Sequence, residues 1–239
     1  VRAIEAIGEL RQAESVGPLE SALMNEYDPE VRKKIVQSLG NIGDRSVIRV
    51  VSFLVTDPTV KSEAVAALAG INHRDALLTL QNVMTNNYSK EDRAVALRAM
   101  LRISAGEARP AFQRALGWLP PGFMAEMAKE LGEAFLPHLK DALAGIHPEA
   151  RRDAVMAFRF MDQARELEVL EQALFATKHG DLKTYILDRL VELKGVAALP
   201  ILEAFYKDEN MELRVRAIEH ASSLIKPDGP ELAKLKDLL

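Results

Sequence analysis

The chain has 239 residues, of which 48% are hydrophobic and 28% charged, and its formal net charge at pH 7 is −4. This composition provides enough apolar material for a sizeable core, and the slight negative charge argues against a basic footprint for nucleic acid. The absence of cysteine excludes disulfides and thiolate metal sites. No apolar run reaches the roughly 18 residues that a membrane span needs, so we expect no membrane insertion.

The first predicted element, VRAIEAIGEL at 1–10, has the pattern of a helix interior from its first residue. We therefore expect the chain to be part of a longer protein, with the start of this helix missing. An uncapped first repeat would expose apolar surface, which predicts a possible homodimer through that end. The predicted location is cytoplasmic, and a targeting segment in the missing part of the chain stays an open alternative.

A second element, VRKKIVQSLGNIGD at 31–44, recurs along the chain at spacings between 27 and 32 residues. Apolar residues at Val31, Ile35, Leu39 and Ile42 lie on one face of a helix. A fixed period in this range is typical of a repeat architecture. Related segments begin at residues 60, 92, 123, 150, 182 and 213.

Each repeat continues into a second helix after a short join. Val47, Val51 and Leu54 give the second helix of one repeat its apolar face. Glycines in the joins, such as Gly43 and Gly195, supply the left-handed backbone that ends a helix.

Prolines and aspartates mark the ends of these helices. Prolines are predicted near the start of second helices, where the first amides have no intrahelical partner; these are Pro18, Pro110, Pro137 and Pro200. Aspartates that cap or turn the chain between repeats are Asp28, Asp57 and Asp208.

This pattern resembles the HEAT-like repeat family, particularly the short bacterial repeats called phycobilisome-lyase-type. The residues that carry the resemblance include Arg32, Leu39, Gly40, Gly43 and Asp44. The resemblance implies an all-α fold, a right-handed α-α superhelix (solenoid) of about eight helical hairpins, with 1–239 as a single domain. The predicted repeats are about 1–28, 29–57, 58–88, 89–117, 118–146, 147–178, 179–209 and 210–239. The last second helix, 227–239, is predicted to cap the stack.

The fifth repeat departs from the pattern. It has Met124 where other repeats have a basic residue, and it follows the loop GWLPPGF at 117–123. The stack is predicted to be kinked or spaced differently there. Trp118 and Phe123 in this loop are either an exposed anchor for a partner or rings that fill the gap where the stack changes its spacing. We favour the second interpretation.

A basic residue at one repeat position is predicted to contact the neighbouring repeat. The alternative, a ladder of cations that binds phosphates, would need an excess of positive charge along one face. The resemblance also implies a structural role for this position. Its members are Arg32, Lys61, Arg93, Arg151, Lys183 and Arg214.

Motifs for catalysis, cofactors or metals do not stand out. The sequence lacks the glycine-rich phosphate loops and the GxSxG elbow, and no two of its five histidines have metal-ligand spacing. Each histidine is predicted to be a surface, loop or capping residue. We therefore expect a protein that is not an enzyme, with no catalytic, cofactor-binding or metal-binding residue.

The outward sides of the second helices are predicted to line a concave surface of mixed charge. Such a surface suits a protein partner better than nucleic acid. The predicted function is a non-catalytic protein–protein interaction scaffold or regulatory module. Two alternatives from the resemblance are a bilin-lyase-like chaperone or enzyme subunit and a HEAT-like DNA-binding protein or glycosylase. The predicted binding residues are Arg49, Phe53, Asn82, Gln113, Arg114, Lys140, Glu171 and Glu203.

Overall fold

The computed structural model describes residues 1–86 and 88–225, and this part of the chain contains helices and turns with no strand. The predicted all-α class is confirmed. The predicted capping helix at 227–239 lies outside the described residues. The chain divides into two compact units, Val1–Pro120 and Pro121–Leu239. The single-domain assignment stays a prediction.

The first unit is a row of helical hairpins. Within this unit the first helices pack in series, α1 on α3, α3 on α5 and α5 on α7. The second helices α2, α4 and α6 pack on the first helix of the following repeat, and α8 packs on α7. The helices are α1 Arg2–Leu10, α2 Val16–Met24, α3 Pro29–Ile42, α4 Val47–Leu54, α5 Lys61–Ile71, α6 Leu77–Thr85, α7 Lys90–Ile103 and α8 Ala105–Ala115.

The second unit repeats this arrangement. The first helices α9, α11, α13 and α15 pack in series, and the second helices α10, α12 and α14 each pack on the first helix that follows. Each unit, taken by itself, is therefore an α-α solenoid of stacked hairpins. The helices are α9 Phe123–Leu131, α10 Leu136–Ala144, α11 Pro148–Ala157, α12 Gln163–Ala176, α13 Gly180–Lys194, α14 Leu199–Glu203 and α15 Met211–Leu224.

The core of each unit lies between successive hairpins. In α3 Ile35 and Leu39 are at most 1% exposed, as the apolar stripe predicts, and Val36, which the stripe did not include, is fully buried as well. Val47 and Val51 of α4 are fully buried beside them. The apolar stripes therefore face neighbouring hairpins and hold the row together through the burial of apolar surface.

The helix ends follow the predicted signals, with two additions. The Asp28 carboxylate accepts hydrogen bonds from the Glu30 and Val31 amides and caps α3. Gly43 ends α3 at φ 68°. At the equivalent joins after α1 and α5, Arg11 and Asn72 adopt the same left-handed conformation, both at φ 51°. The sequence pattern did not predict these two positions, because residues other than glycine rarely take positive φ.

Pro110 corrects one prediction. Pro18, Pro137 and Pro200 lie in the first turn of their helices, but Pro110 is the sixth residue of α8. In most of the other described repeats a 3-10 turn precedes the second helix, as at Gly132–Phe135 before α10. In the fourth repeat the corresponding stretch is already α-helical from Ala105, so the proline falls inside the helix.

Gly40 lies where α3 approaches α5 closely. A Cβ at this position would come within 2.8 Å of the Ala67 Cβ and 2.9 Å of the Ala67 Cα. Gly8 makes the same kind of approach between α1 and α3, where a Cβ would lie 2.8 Å from the Ser38 Cα. Small residues therefore set the spacing of the first helices.

We predict that Gly40→Ala destabilises the protein by about 1–3 kcal/mol, because the added methyl group forces α3 away from α5. Gly106→Ala is the matched control, since a Cβ at Gly106 in α8 meets nothing within 4 Å. Urea unfolding of both variants checks this, and the control is expected to be neutral or slightly stabilising. Equal effects of the two substitutions would contradict the proposed close packing.

Candidate functional site

The predicted binding residues lie on the second-helix face, which we define in each unit as the outward side of its second helices. Seven of the eight residues are exposed there, and Glu171 is half-buried and forms an ion pair with Lys194. Their role in binding stays a prediction. By helix, they are Arg49 and Phe53 on α4, Asn82 on α6, Gln113 and Arg114 on α8, Lys140 on α10, Glu171 on α12 and Glu203 on α14.

A first groove lies between α2 and α4 in the first unit and encloses about 340 Å³. Met24 and Phe53 line it with side chains that are 79% and 74% exposed. These two residues are 29 residues apart, one repeat length, so the same repeat position carries a large apolar side chain twice. Phe53 was predicted as a surface residue, whereas Met24 was missed, although the repeat spacing from Phe53 points to it. The groove is lined by Glu20, Leu23, Met24, Arg32, Arg49, Val50, Phe53 and Leu54.

A second groove lies in the second unit between α10 and α12 and reaches the start of α13. It encloses about 600 Å³. Of the predicted binding residues, Lys140 alone is among those that line it. The other lining residues were missed, because they come from different repeats and only stacking brings them together. The groove is lined by Lys140, Leu143, Ala144, Val169, Gln172, Ala173, Ala176, Thr177, Lys178, His179 and Leu182.

The recurrent basic position bonds neighbouring segments of the chain. Arg32 donates from Nη1 to the carbonyl oxygens of Leu23 and Glu26, at 3.1 and 3.2 Å. Its Nη2 donates to Asp57 Oδ2 at 2.6 Å. The guanidinium group thus connects the end of α2 to the turn before α5. The side chain is 19% exposed, which leaves it poorly placed for a phosphate.

The same contact recurs in the second unit. Arg151, 3% exposed, donates to the Gly145 carbonyl oxygen at 2.9 Å and to Asp181 Oδ2 at 2.7 Å. Arg214 donates to the carbonyl oxygens of Asp208 and Glu209. The prediction that this position contacts the neighbouring repeat is confirmed for Arg32, Arg151 and Arg214.

In the first unit, aromatic rings replace the carboxylate partner in two repeats. Lys61 Nζ lies 5.6 Å from the Tyr88 ring centroid, and the Arg93 guanidinium carbon lies 4.7 Å from a Trp118 ring centroid. Trp118 follows Arg93 by 25 residues, the same separation as between Arg32 and Asp57. Cation–π attraction therefore takes the place of an ion pair.

The loop at 117–123 does not present two exposed aromatic anchors. Phe123 is 1% exposed and forms part of the core of the second unit, and Trp118 of the first unit is half-buried against Arg93. That these rings fill a gap in the stack stays a prediction. Met124, which replaces the basic residue of other repeats, is also 1% exposed.

Two histidines correct the prediction of surface, loop or capping roles. His138 is 1% exposed and stacks on Phe135 with ring centroids 5.1 Å apart. His220 is half-buried, and its Nε2 lies 2.6 Å from Asp188 Oδ1. His73 does cap a turn, because its Nδ1 accepts from the Asp75 amide at 3.2 Å. Among residues 1–86 and 88–225 there is no group of three side chains suited to hold a metal.

Asp188 of α13 is a half-buried carboxylate that both Arg216 and His220 contact. It accepts from Arg216 Nε at 2.7 Å and Nη2 at 2.8 Å, in addition to its contact with His220. Burial alone would raise the pKa of Asp188, but the hydrogen bonds from Arg216 and His220 outweigh burial and hold the pKa below its usual value. Asp153 of α11 shows the opposite case. Burial raises the pKa of Asp153 despite a hydrogen bond from the Gly122 amide.

The first part of the chain has a match among known protein families. Residues 1–57 match the family model of HEAT repeats. This stretch covers the first two hairpins, and the stacking described above continues the same pattern in the later ones. The predicted resemblance to HEAT repeats is confirmed for residues 1–57. No curated protein matches the chain.

Two solved structures are similar to the chain over most of its length. The phycocyanin lyase CpcE–CpcF complex from Nostoc sp. PCC7120 is 16% identical, with a TM-score of 0.39 over 99% of this chain and 86% of that chain. An engineered protein is 18% identical, with a TM-score of 0.35 over 94% of this chain and 97% of that chain.

In the part of the chain that the structure describes, every helix is too short or too polar to cross a bilayer.

We predict that Arg151→Met destabilises the protein by about 2–3 kcal/mol, because Asp181 and the Gly145 carbonyl oxygen lose their shared partner. The midpoint of chemical unfolding measures the loss. Arg159→Met in the same unit is the control, since Arg159 is exposed, and its effect should stay within about 0.5 kcal/mol. A loss that small for Arg151→Met would contradict a structural role.

We predict opposite pH dependences for Asp188→Asn and Asp153→Asn. The lowered pKa of Asp188 stabilises the fold above the ordinary value of 3.8, and this stabilisation is lost as the pH falls through the folded-state pKa. Asp188→Asn should therefore lower stability at pH 7 and have little effect at strongly acidic pH. The raised pKa of Asp153 favours folding at low pH, and this contribution is lost as the pH rises through the folded-state pKa. Asp153→Asn should therefore raise stability at pH 7.

Urea unfolding of both variants and the wild type at several pH values between about 3 and 7 tests these signs. A shift of the same sign for the two substitutions at pH 7 would show that the environments of the two carboxylates do not differ as described.

Proposed function

We propose that this protein is a non-catalytic interaction scaffold that holds a partner protein against its second-helix face. The HEAT-repeat fold provides the stacked hairpins, and the outward side chains of the second helices provide the contacts. The cytoplasmic location and the homodimer through the first repeat stay predictions, as does the bilin-lyase-like alternative.

The exposure of Met24 and Phe53 in the first groove carries this proposal. A phenylalanine that is 74% exposed leaves most of its ring in water, and burial against a partner would recover about 1.5–3 kcal/mol. The two side chains lie along one groove rather than singly, which is the arrangement that marks interaction surfaces. Glu20 and Arg49 give the groove a rim of mixed charge, as protein interfaces have.

The contacts of the basic residues support a protein partner over nucleic acid. A protein that binds phosphates directs lysines and arginines outward along one face. Here Arg32, Arg151 and Arg214 point to carbonyl oxygens of their own chain, and the first two also bind carboxylates. Their charge is used inside the fold.

Site-specific photo-crosslinking tests the proposal. We expect a benzoylphenylalanine placed at Phe53 to capture a specific protein in the native host, because this side chain would face the partner. The same probe at Gln37, an exposed residue of the first helix α3, should not capture that protein. Mass spectrometry identifies the captured protein, and the purified pair then gives the affinity.

The affinity of the purified pair should fall by about tenfold or more for Phe53→Ser, which corresponds to the loss of one buried aromatic side chain. Gln37→Ser should leave it within about twofold. Equal capture from both positions, or an affinity that Phe53→Ser leaves unchanged, would contradict the proposed face.

A further inference from the structure

The second groove has an apolar floor. Leu143, Val169 and Leu182 are 6%, 4% and 1% exposed at its base. Its walls include small side chains that leave the volume of about 600 Å³ unfilled, namely Ala144, Ala173 and Ala176. A floor of this kind accepts aliphatic side chains of a ligand.

The rim of the second groove is cationic. Lys140 and Lys178 line it and are exposed, as is His179, and no carboxylate is among the described residues that line it. Two nearby carboxylates are already bound, Asp181 to Arg151 and Glu171 to Lys194. The N-terminus of α13, a helix of 15 residues, also lies at the groove and favours negative charge.

The shape of the groove favours a helical segment. The groove lies between two second helices, the 9-residue α10 and the 14-residue α12. A helix as long as α10 spans about 13 Å, or two to three turns of a guest helix. Amphipathic helices bind grooves of this type by inserting apolar side chains at intervals of three and four residues.

We propose that the second groove docks an acidic amphipathic helix of the partner protein. Aliphatic side chains of the guest lie on Leu143 and Val169, and its flanking carboxylates pair with Lys140 and Lys178. This inference rests on the proposed scaffold function and names the chemistry of the partner. The chain as a whole carries a net charge of −4, so an acidic guest gains nothing from non-specific attraction and depends on this local cationic rim.

Fluorescence anisotropy with a labelled peptide tests the proposal on the whole chain. The probe is a helical peptide of about 16 residues with leucines on one face and glutamates beside them, a length at which an isolated helix begins to form. A second peptide has lysine in place of every glutamate. We expect the glutamate peptide to bind at least about tenfold more tightly than the lysine peptide, and its affinity to fall with added salt.

Variants of the groove separate charge from shape. The double variant Lys140→Glu/Lys178→Glu should weaken binding of the glutamate peptide by about tenfold. The control Lys129→Glu/Lys207→Glu makes the same change of net charge at exposed lysines that do not line the groove, and it should weaken binding by less than about threefold. Ala173→Trp, which fills the groove, should abolish binding of the peptide.

Three results would overturn the proposal. These are equal binding of the two peptides, binding that survives both the charge reversal and Ala173→Trp, and displacement of the glutamate peptide by equimolar dodecanoate, which would assign the groove to a small amphiphile. The crosslink at Phe53 lies in the other unit and reports separately. If that crosslink captures a partner and the peptide does not bind, the scaffold function stands and only the groove inference fails.

Discussion

Within each unit, the structure depends on the contact between the first helices of successive hairpins. This contact buries the apolar stripe that no hairpin can cover alone, and it explains why the sequence repeats. Gly8 and Gly40 let the backbones of neighbouring first helices approach closely. This contact therefore requires residues that are small as well as residues that are apolar. Because the first helices and the inward sides of the second helices meet these demands, the outward side of the second helices is free to carry other chemistry.

The recurrent basic residue adds a polar connection to this apolar contact between helices. Arg32 and Arg151 each bind a carbonyl oxygen of an earlier segment and a carboxylate of a later segment of the chain. One side chain thus connects successive segments. The carboxylate can be exchanged for a ring, as Trp118 shows opposite Arg93. Both a carboxylate and the face of an aromatic ring attract a cation. The basic position therefore recurs in the sequence while the residue that it contacts changes.

Much of the fold could be predicted from the sequence, because its determinants are local or periodic. The helical stripe through Ile35 and Leu39, the cap at Asp28 and the stop at Gly43 each depend on residues close in sequence. The prediction was wrong at positions such as His138 and Pro110. His138 is buried by its neighbours, although histidine in isolation favours the surface. Pro110 falls inside α8 because the helix starts earlier than in other repeats. The grooves were predicted only in part, since their walls come from different repeats.

The two grooves show how a repeated fold can carry unlike surfaces. The last residue of α2 and the last residue of α10 each follow a buried leucine, Leu23 and Leu143. The first is Met24, which projects into water, and the second is Ala144, which leaves space. The buried leucine keeps the hairpin stacked in both cases, so the neighbouring residue changes the surface at little cost to the fold. Since stability in such arrays is nearly a sum over adjacent repeats, each repeat can alter its outward side chains independently. The residues that distinguish one groove from the other are therefore the ones whose identity matters least to the stability of the fold.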